Sequence, residues 1–138
     1  SVGGYYADIT RTVAVGEPGE RLRNLYDLVL RANQAGREIV RPGLPAQEVD
    51  RAARAVIAEG GYAEAFLHRT GHGLGLEVHE PPYMVEGNEQ PLQPGMTFTV
   101  EPGIYVAGLG GVRIEDDVLV TSTSGLSLTT FPRELIVL

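Results

Sequence analysis

The sequence contains no cysteine, no apolar run approaching the roughly 18 residues of a membrane span, and fewer basic than acidic side chains. Each lack removes a class of function. Without cysteine there is no disulfide, no thiolate metal site and no cysteine nucleophile, so any metal must be held by histidine, aspartate and glutamate. Eleven basic against eighteen acidic side chains leave a formal charge of -7, a field that repels phosphate backbones and anionic membrane surfaces. The expectation is therefore no nucleic-acid partner and no membrane partner. The first residues lack the basic-then-apolar pattern of a secretory signal, and the chain reads as soluble and cytoplasmic. With 43% hydrophobic residues in 138, it can bury one core and reads as a single domain or part of a larger one.

What is there divides into helical, glycine-rich and alternating stretches. Gly3-Gly4 opens a run of aromatic and β-branched residues through Val15 that predicts a strand, with Tyr6, Asp8, Thr10 and Thr12 on one face. Apolar residues from Leu22 to Val40 recur at helical spacing until Pro42-Gly43; a second helix is expected from Pro45 to Gly60-Gly61, with Val49, Ala53, Val56 and Ile57 on its apolar face. Between Ala65 and Pro82 glycine and proline deny a regular helix, so His68 and His72 are not an i, i+4 helical metal pair. Met96 to Glu101 alternates with period two and predicts a half-buried strand ending at Glu101. Ile104–Val106 and Gly111–Val120 predict a strand pair, with Arg113 and Glu115 pointing the same way, and Leu135–Leu138 a terminal strand. The expected order is one strand, two helices, then several antiparallel strands, an α+β arrangement.

Asp8, Glu101 and Glu115 each fall on a strand-like segment whose other face is apolar, with His72 in the glycine-dense loop between them. Carboxylates brought together repel one another, and a divalent cation is the simplest cure. A donor set of carboxylates and one imidazole is oxygen-rich and suits Mn²⁺, with Co²⁺, Fe²⁺ and Zn²⁺ as alternatives. Bridging carboxylates allow two ions roughly 3.5 Å apart, which ionise a water near neutral pH and point to hydrolysis.

Five runs, in order, carry a more specific likeness: Tyr6-Ala7-Asp8-Ile9-Thr10-Arg11-Thr12, His68-Arg69-Thr70-Gly71-His72-Gly73-Leu74-Gly75, Val78-His79-Glu80, Thr99-Val100-Glu101-Pro102-Gly103-Ile104-Tyr105 and Gly111-Val112-Arg113-Ile114-Glu115-Asp116-Asp117. Together they resemble the motifs of the M24-type "pita-bread" metallopeptidases, in the branch that includes aminopeptidase P and prolidase. The resemblance implies a pita-bread fold, an antiparallel sheet flanked by helices, with residues 1–138 as the C-terminal portion of a catalytic domain. It implies metal ligands at Asp8, His72, Glu101 and Glu115, with Glu115 bridging two ions and Glu101 beside the bridging hydroxide. The family's remaining aspartate ligand would precede Ser1, so the chain reads as N-terminally truncated and, taken alone, inactive.

By the same resemblance His68 and His79 contact substrate and steady the developing charge, and Arg113 pairs with a substrate carboxylate or orients Glu115. Hydrogen-bonded loop histidines and a structural ion pair are the plainer readings of these three. Tyr105 and Thr10 would support the ligands, Tyr5, Tyr62, Tyr83 and Phe66 read as packing, and Arg69, Glu77 and Glu80 as solvated or structural charges. The implied reaction is hydrolysis of the bond preceding proline, on a peptide with proline second, by a full-length homodimer acting as an Xaa-Pro aminopeptidase or dipeptidase, the aminopeptidase or an undivided Xaa-Pro peptidase slightly preferred. The alternatives are a methionine aminopeptidase-like enzyme and a non-catalytic binding module on the same fold.

Overall fold

Glycine and proline cut this chain into nine short strands around two helices, and the computed structural model describes all of residues 1–138. The first strand, β1, is Val13–Ala14; helices α1 and α2 are Glu20–Glu38 and Ala46–Glu59. A short 3₁₀ turn, Ala63–Ala65, leads to β2 (Gly71–Gly73), β3 (Glu80–Met84), β4 (Thr97–Val100), β5 (Gly103–Val106), β6 (Gly110–Arg113), β7 (Asp116–Val120), β8 (Gly125–Ser127) and β9 (Ile136–Val137). Neither helix is long and apolar enough to cross a membrane.

The helices follow the expected periodicity. On α1 the residues Leu25, Leu28, Val29 and Ala32 are buried, and on α2 Val49, Ala53 and Ile57. Pro45 precedes the first turn of α2, where its missing N–H leaves nothing unpaired. Two cores form beneath the helices. One joins α1 and α2 to Ile104, Val112 and Ile114; the other joins Val40, Leu44 and Val49 to Met84, Phe98, Val100, Val118 and Val120. Each of these fully buried aliphatic or aromatic side chains contributes about 1.5–3 kcal/mol.

The main sheet has the order β3-β2-β4-β7-β8 and is antiparallel throughout, while β5 and β6 form a separate hairpin. Four expectations need correction. The opening strand shrinks to Val13–Ala14, because residues 6–12 find little ladder within the chain: Tyr6 N–H donates to Gly75 O at 2.8 Å, and Thr10 bridges to Glu115. The final strand β9 pairs with β1 in parallel, not antiparallel. The strand foreseen over Gly111–Val120 splits at Ile114-Glu115, where pairing passes from β5 to β4 and the freed Ile114 carbonyl is taken by the buried Asn33 amide at 3.3 Å. Strand β4 is covered on both faces, since Thr99 is as inaccessible as Phe98 and Val100. The polar face of β4 is thus turned inward, toward β2 and His72.

Candidate metal centre

His72 is held by its neighbours' lack of side chains. A Cβ on Gly71 would lie 1.8 Å from the Thr99 carbonyl oxygen, and one on Gly73 2.3 Å from that of Pro81, so only Gly-His-Gly lets β2 lie this close to β3 and β4. The His72 backbone N–H donates to Thr99 Oγ1 at 3.1 Å, and that hydroxyl donates on to Glu101 Oε1 at 3.3 Å. Glu101 itself is pinned by its N–H on the Thr70 carbonyl at 2.7 Å. From the opposite side the opening segment brings in Asp8, Thr10 and Thr12, as their shared face predicted. Asp8 N–H donates to Asp117 Oδ2 at 3.2 Å, Thr10 Oγ1 to Glu115 Oε2 at 2.5 Å, and Thr12 Oγ1 to the Arg113 carbonyl at 3.0 Å.

The result is one donor cluster. Asp8, His72 and Glu115 each offer a ligand atom, all within 4.8 Å of one another. Glu101 lies outside that trio but against it, with Oε1 3.3 Å from His72 Nε2; Asp8 Oδ2 is 3.9 Å from the same nitrogen.

The protonation of His72 decides what these distances mean. Its Nδ1 stands 3.0 Å from the Gly73 carbonyl, which only accepts, so Nδ1 carries the hydrogen and Nε2 presents a lone pair to two carboxylates. Burial, with help from His79 and Arg69, pushes His72 below the usual histidine range and favours the neutral ring. A lone pair facing ionised carboxylate oxygens is repulsive unless a cation or a proton lies between them. The 3.3 Å gap is that of neighbouring ligands on one ion with bonds of about 2.1 Å.

The carboxylates agree. Burial, reinforced by Glu101 and Asp8, pushes Glu115 up to about 7 despite the Thr10 hydroxyl, and burial also raises Glu101 against the pull of Arg113 and Thr99. Arg113 and the two threonine hydroxyls offset only part of this, and the donor set fits divalent cations.

Beside the cluster a cavity of about 590 Å³ is lined by His68, Arg69, His79, Tyr83, Val85, Glu101 and Arg113. His68 Nδ1 donates to the Arg69 carbonyl at 2.7 Å, leaving Nε2 to accept from Tyr105 Oη and Arg113 Nη2, both at 3.3 Å. Burial holds this ring below the ordinary histidine range, with the Arg113 charge adding to the effect. His79 is exposed, its ring centroid 4.1 Å from that of His72 in an edge-on arrangement. Arg113 and Glu115 do face the same region, Arg113 Nη1 lying 3.8 Å from Glu101 Oε2.

Three features were not read from the sequence. Asp50 on α2 accepts from the Thr70 N–H and hydroxyl at 3.0 and 2.7 Å and from Arg54 Nε at 2.7 Å, while Arg54 also donates to the Phe66 and His68 carbonyls. This clamp sets the histidine loop, and its only sequence trace is an acid on the apolar face of α2. Asp117 keeps Oδ1 buried and without a partner behind Asp8, and burial lifts it to about 6. Arg69, read as a solvated or structural charge, and Tyr83, read as packing, form part of the cavity wall.

A sheet with inward-facing carboxylates and one imidazole, beside a cavity that holds two arginines, is an arrangement suited to holding divalent cations. The model of metallopeptidase family M24 matches residues 1–122, and the chain belongs to that family. It is 53% identical over 134 residues to the "Probable dipeptidase PepE" of Mycobacterium tuberculosis, covering 97% of this chain and 36% of that protein. It is 48% identical over 132 residues to the "Xaa-Pro dipeptidase" of Pyrococcus furiosus, covering 96% of this chain and 38% of that protein. The crystal structure of dipeptidase PepE from Mycobacterium ulcerans superimposes with a TM-score of 0.96 at 52% identity, over 99% of this chain and 37% of that one. The chain thus spans a little more than a third of the length of these relatives.

Proposed function

We propose that residues 1–138 are the C-terminal portion of a catalytic domain, and that the whole protein hydrolyses Xaa-Pro dipeptides with two divalent cations, Mn²⁺ foremost. The observation that carries this reading is the neutral His72 Nε2 directed at Glu101 and Asp8, a placement that calls for a cation. Asp8, His72, Glu101 and Glu115 would hold the ions. When bound, the ions supply an ionised water and polarise the substrate carbonyl.

The chain's own groups do the rest. Glu101 takes the proton released as water attacks, and burial, which raises it above the usual glutamate range, suits it to hold that proton. The Thr10 hydroxyl fixes one Glu115 oxygen and leaves the other for metal. Arg113, steadied by His68 and Tyr105, binds the carboxylate that follows proline, and His79 at the open lip protonates the departing nitrogen.

A dipeptide is favoured over a longer peptide because arginines in the cavity wall match a free carboxylate next to proline, and because the relatives cited carry the name dipeptidase. The absence of cysteine fits a cytoplasmic setting, and a homodimer is the assembly we expect. The test is Mn²⁺-dependent cleavage by the full-length protein of an Xaa-Pro dipeptide, an Xaa-Pro-Xaa tripeptide and a Met-Ala-Xaa peptide. Cleavage of the dipeptide alone is expected. Release of the first residue from the tripeptide makes the protein an aminopeptidase, and silence on all three with metal bound rejects the reading.

A further inference from the structure

Of the eleven arginines, six are half-buried: Arg11, Arg37, Arg54, Arg69, Arg113 and Arg133. Five of these approach a carboxylate: Arg11, Arg37 and Arg133 surround Asp116, Arg54 pairs with Asp50, and Arg113 reaches Glu101. Arg69 has no acidic partner. Its Nε is shut from solvent and meets no acceptor, and its guanidinium carbon sits 4.9 Å from the centroid of the Tyr83 ring. An arginine stripped of part of its hydration and given no anion in return is unfavourable unless an anion arrives from outside. Stacking on Tyr83 holds the planar fork in place while leaving its donor edge free, an arrangement suited to bidentate capture of a carboxylate.

The cavity receives its two guanidinium groups from different elements. Arg113 enters from β6, in the separate hairpin, whereas Arg69 and Tyr83 enter from the β2–β3 edge of the main sheet. A dipeptide with a neutral first residue has one carboxylate and satisfies only one of them. We propose that Arg69, stacked on Tyr83, is a specificity-determining residue that binds the side-chain carboxylate of an acidic first residue, so that the preferred substrates are Glu-Pro and Asp-Pro. This inference rests on the dipeptidase reading and on Arg113 taking the terminal carboxylate. Gln-Pro, the neutral near-isostere of Glu-Pro, lacks the charge that Arg69 requires.

The experiment compares kcat/KM of the Mn²⁺-loaded full-length protein for Glu-Pro, Gln-Pro and Ala-Pro. Glu-Pro is expected to exceed Gln-Pro by about tenfold, the scale of a partly solvated charge-assisted contact, and the ratio should fall as salt is added. Arg69→Gln should bring the ratio to about one, chiefly through KM, with Arg69→Lys between and Tyr83→Leu reducing it by loosening the stack. A wild-type ratio near one overturns the proposal without any variant, even if Arg69→Gln does not fold. Equal loss on Glu-Pro and Gln-Pro in Arg69→Gln also overturns it, since Arg69 would then serve the terminal carboxylate. No cleavage of any of the three, Ala-Pro included, rejects the dipeptidase reading and this proposal with it.

Discussion

Glu115 and Asp116 are consecutive, both carboxylates and both buried, yet the protein treats them in opposite ways. Asp116 sits among three arginines: Arg11 at 2.7 Å, Arg133 at 2.8 Å and Arg37 at 3.5 Å. Burial alone would raise it, but hydrogen bonds from Arg133 and Arg11 outweigh burial and hold it below the usual aspartate range. Glu115 has only the Thr10 hydroxyl and faces Glu101 and Asp8, so it rises to about 7. The backbone that turns Asp116 toward α1 and the C-terminal segment turns the preceding residue, Glu115, toward His72. A buried carboxylate ringed by cations is a fastener; one ringed by other acids is a place for metal. The first ties the opening segment, α1 and the chain end to β7, and the second leaves charge uncompensated at the candidate metal centre.

Removing each member of this pair should separate the two roles. The largest effect is expected from Glu115→Ala in the full-length protein: Mn²⁺ binding is lost and dipeptide hydrolysis drops by at least about 10³-fold, more than about 4 kcal/mol of transition-state stabilisation. Titration calorimetry and steady-state kinetics check it, and retained activity would remove Glu115 from the site. Asp116→Ala is expected to spare the ligands but to strand three arginines, lowering stability by about 3–4 kcal/mol in urea unfolding. A drop under about 1 kcal/mol would mean that the arginines find other partners.

The third and smallest effect is a pH dependence whose sign differs between the two. For metal-free protein the raised Glu115 keeps its proton in the folded state. Its contribution is full below the unfolded value of 4.5 and is lost as pH rises through about 7, amounting to about 2–3 kcal/mol. Asp116 does the reverse, contributing above 3.8 and failing as pH falls through its lower folded value. Metal-free protein should therefore melt at a higher temperature at pH 5 than at pH 8, and Mn²⁺ should restore the loss at pH 8. Calorimetry that finds the metal-free protein more stable at pH 8 would contradict the assignment of Glu115.

Much of the candidate site was legible because its residues lie in short runs whose composition is unusual. Gly71-His72-Gly73 announces a backbone packed too tightly for side chains, and the alternation around Glu101 and Glu115 shows which way each carboxylate points. The place of Arg69 in the cavity wall was not legible because nothing near it in sequence is an acid or its aromatic shelf; Tyr83 comes 14 residues later, across the β2–β3 pairing. The Asp116 hub was missed for the same reason, since its arginines lie 105, 79 and 17 residues away.

The sequence by itself determined the helices and the exclusion of thiolate chemistry, and its alternation together with the likeness of its motifs pointed to four candidate ligands. Those depend on the 3.6- and 2-residue periods and on side-chain chemistry, which are local properties. Tertiary structure alone decided that β9 joins β1 in parallel, that β4 is covered on both faces, and that Glu115 and Asp116 receive opposite surroundings. Those outcomes follow from which distant backbone and charges arrive at a position, and electrostatic energy depends on separation in space, not along the chain.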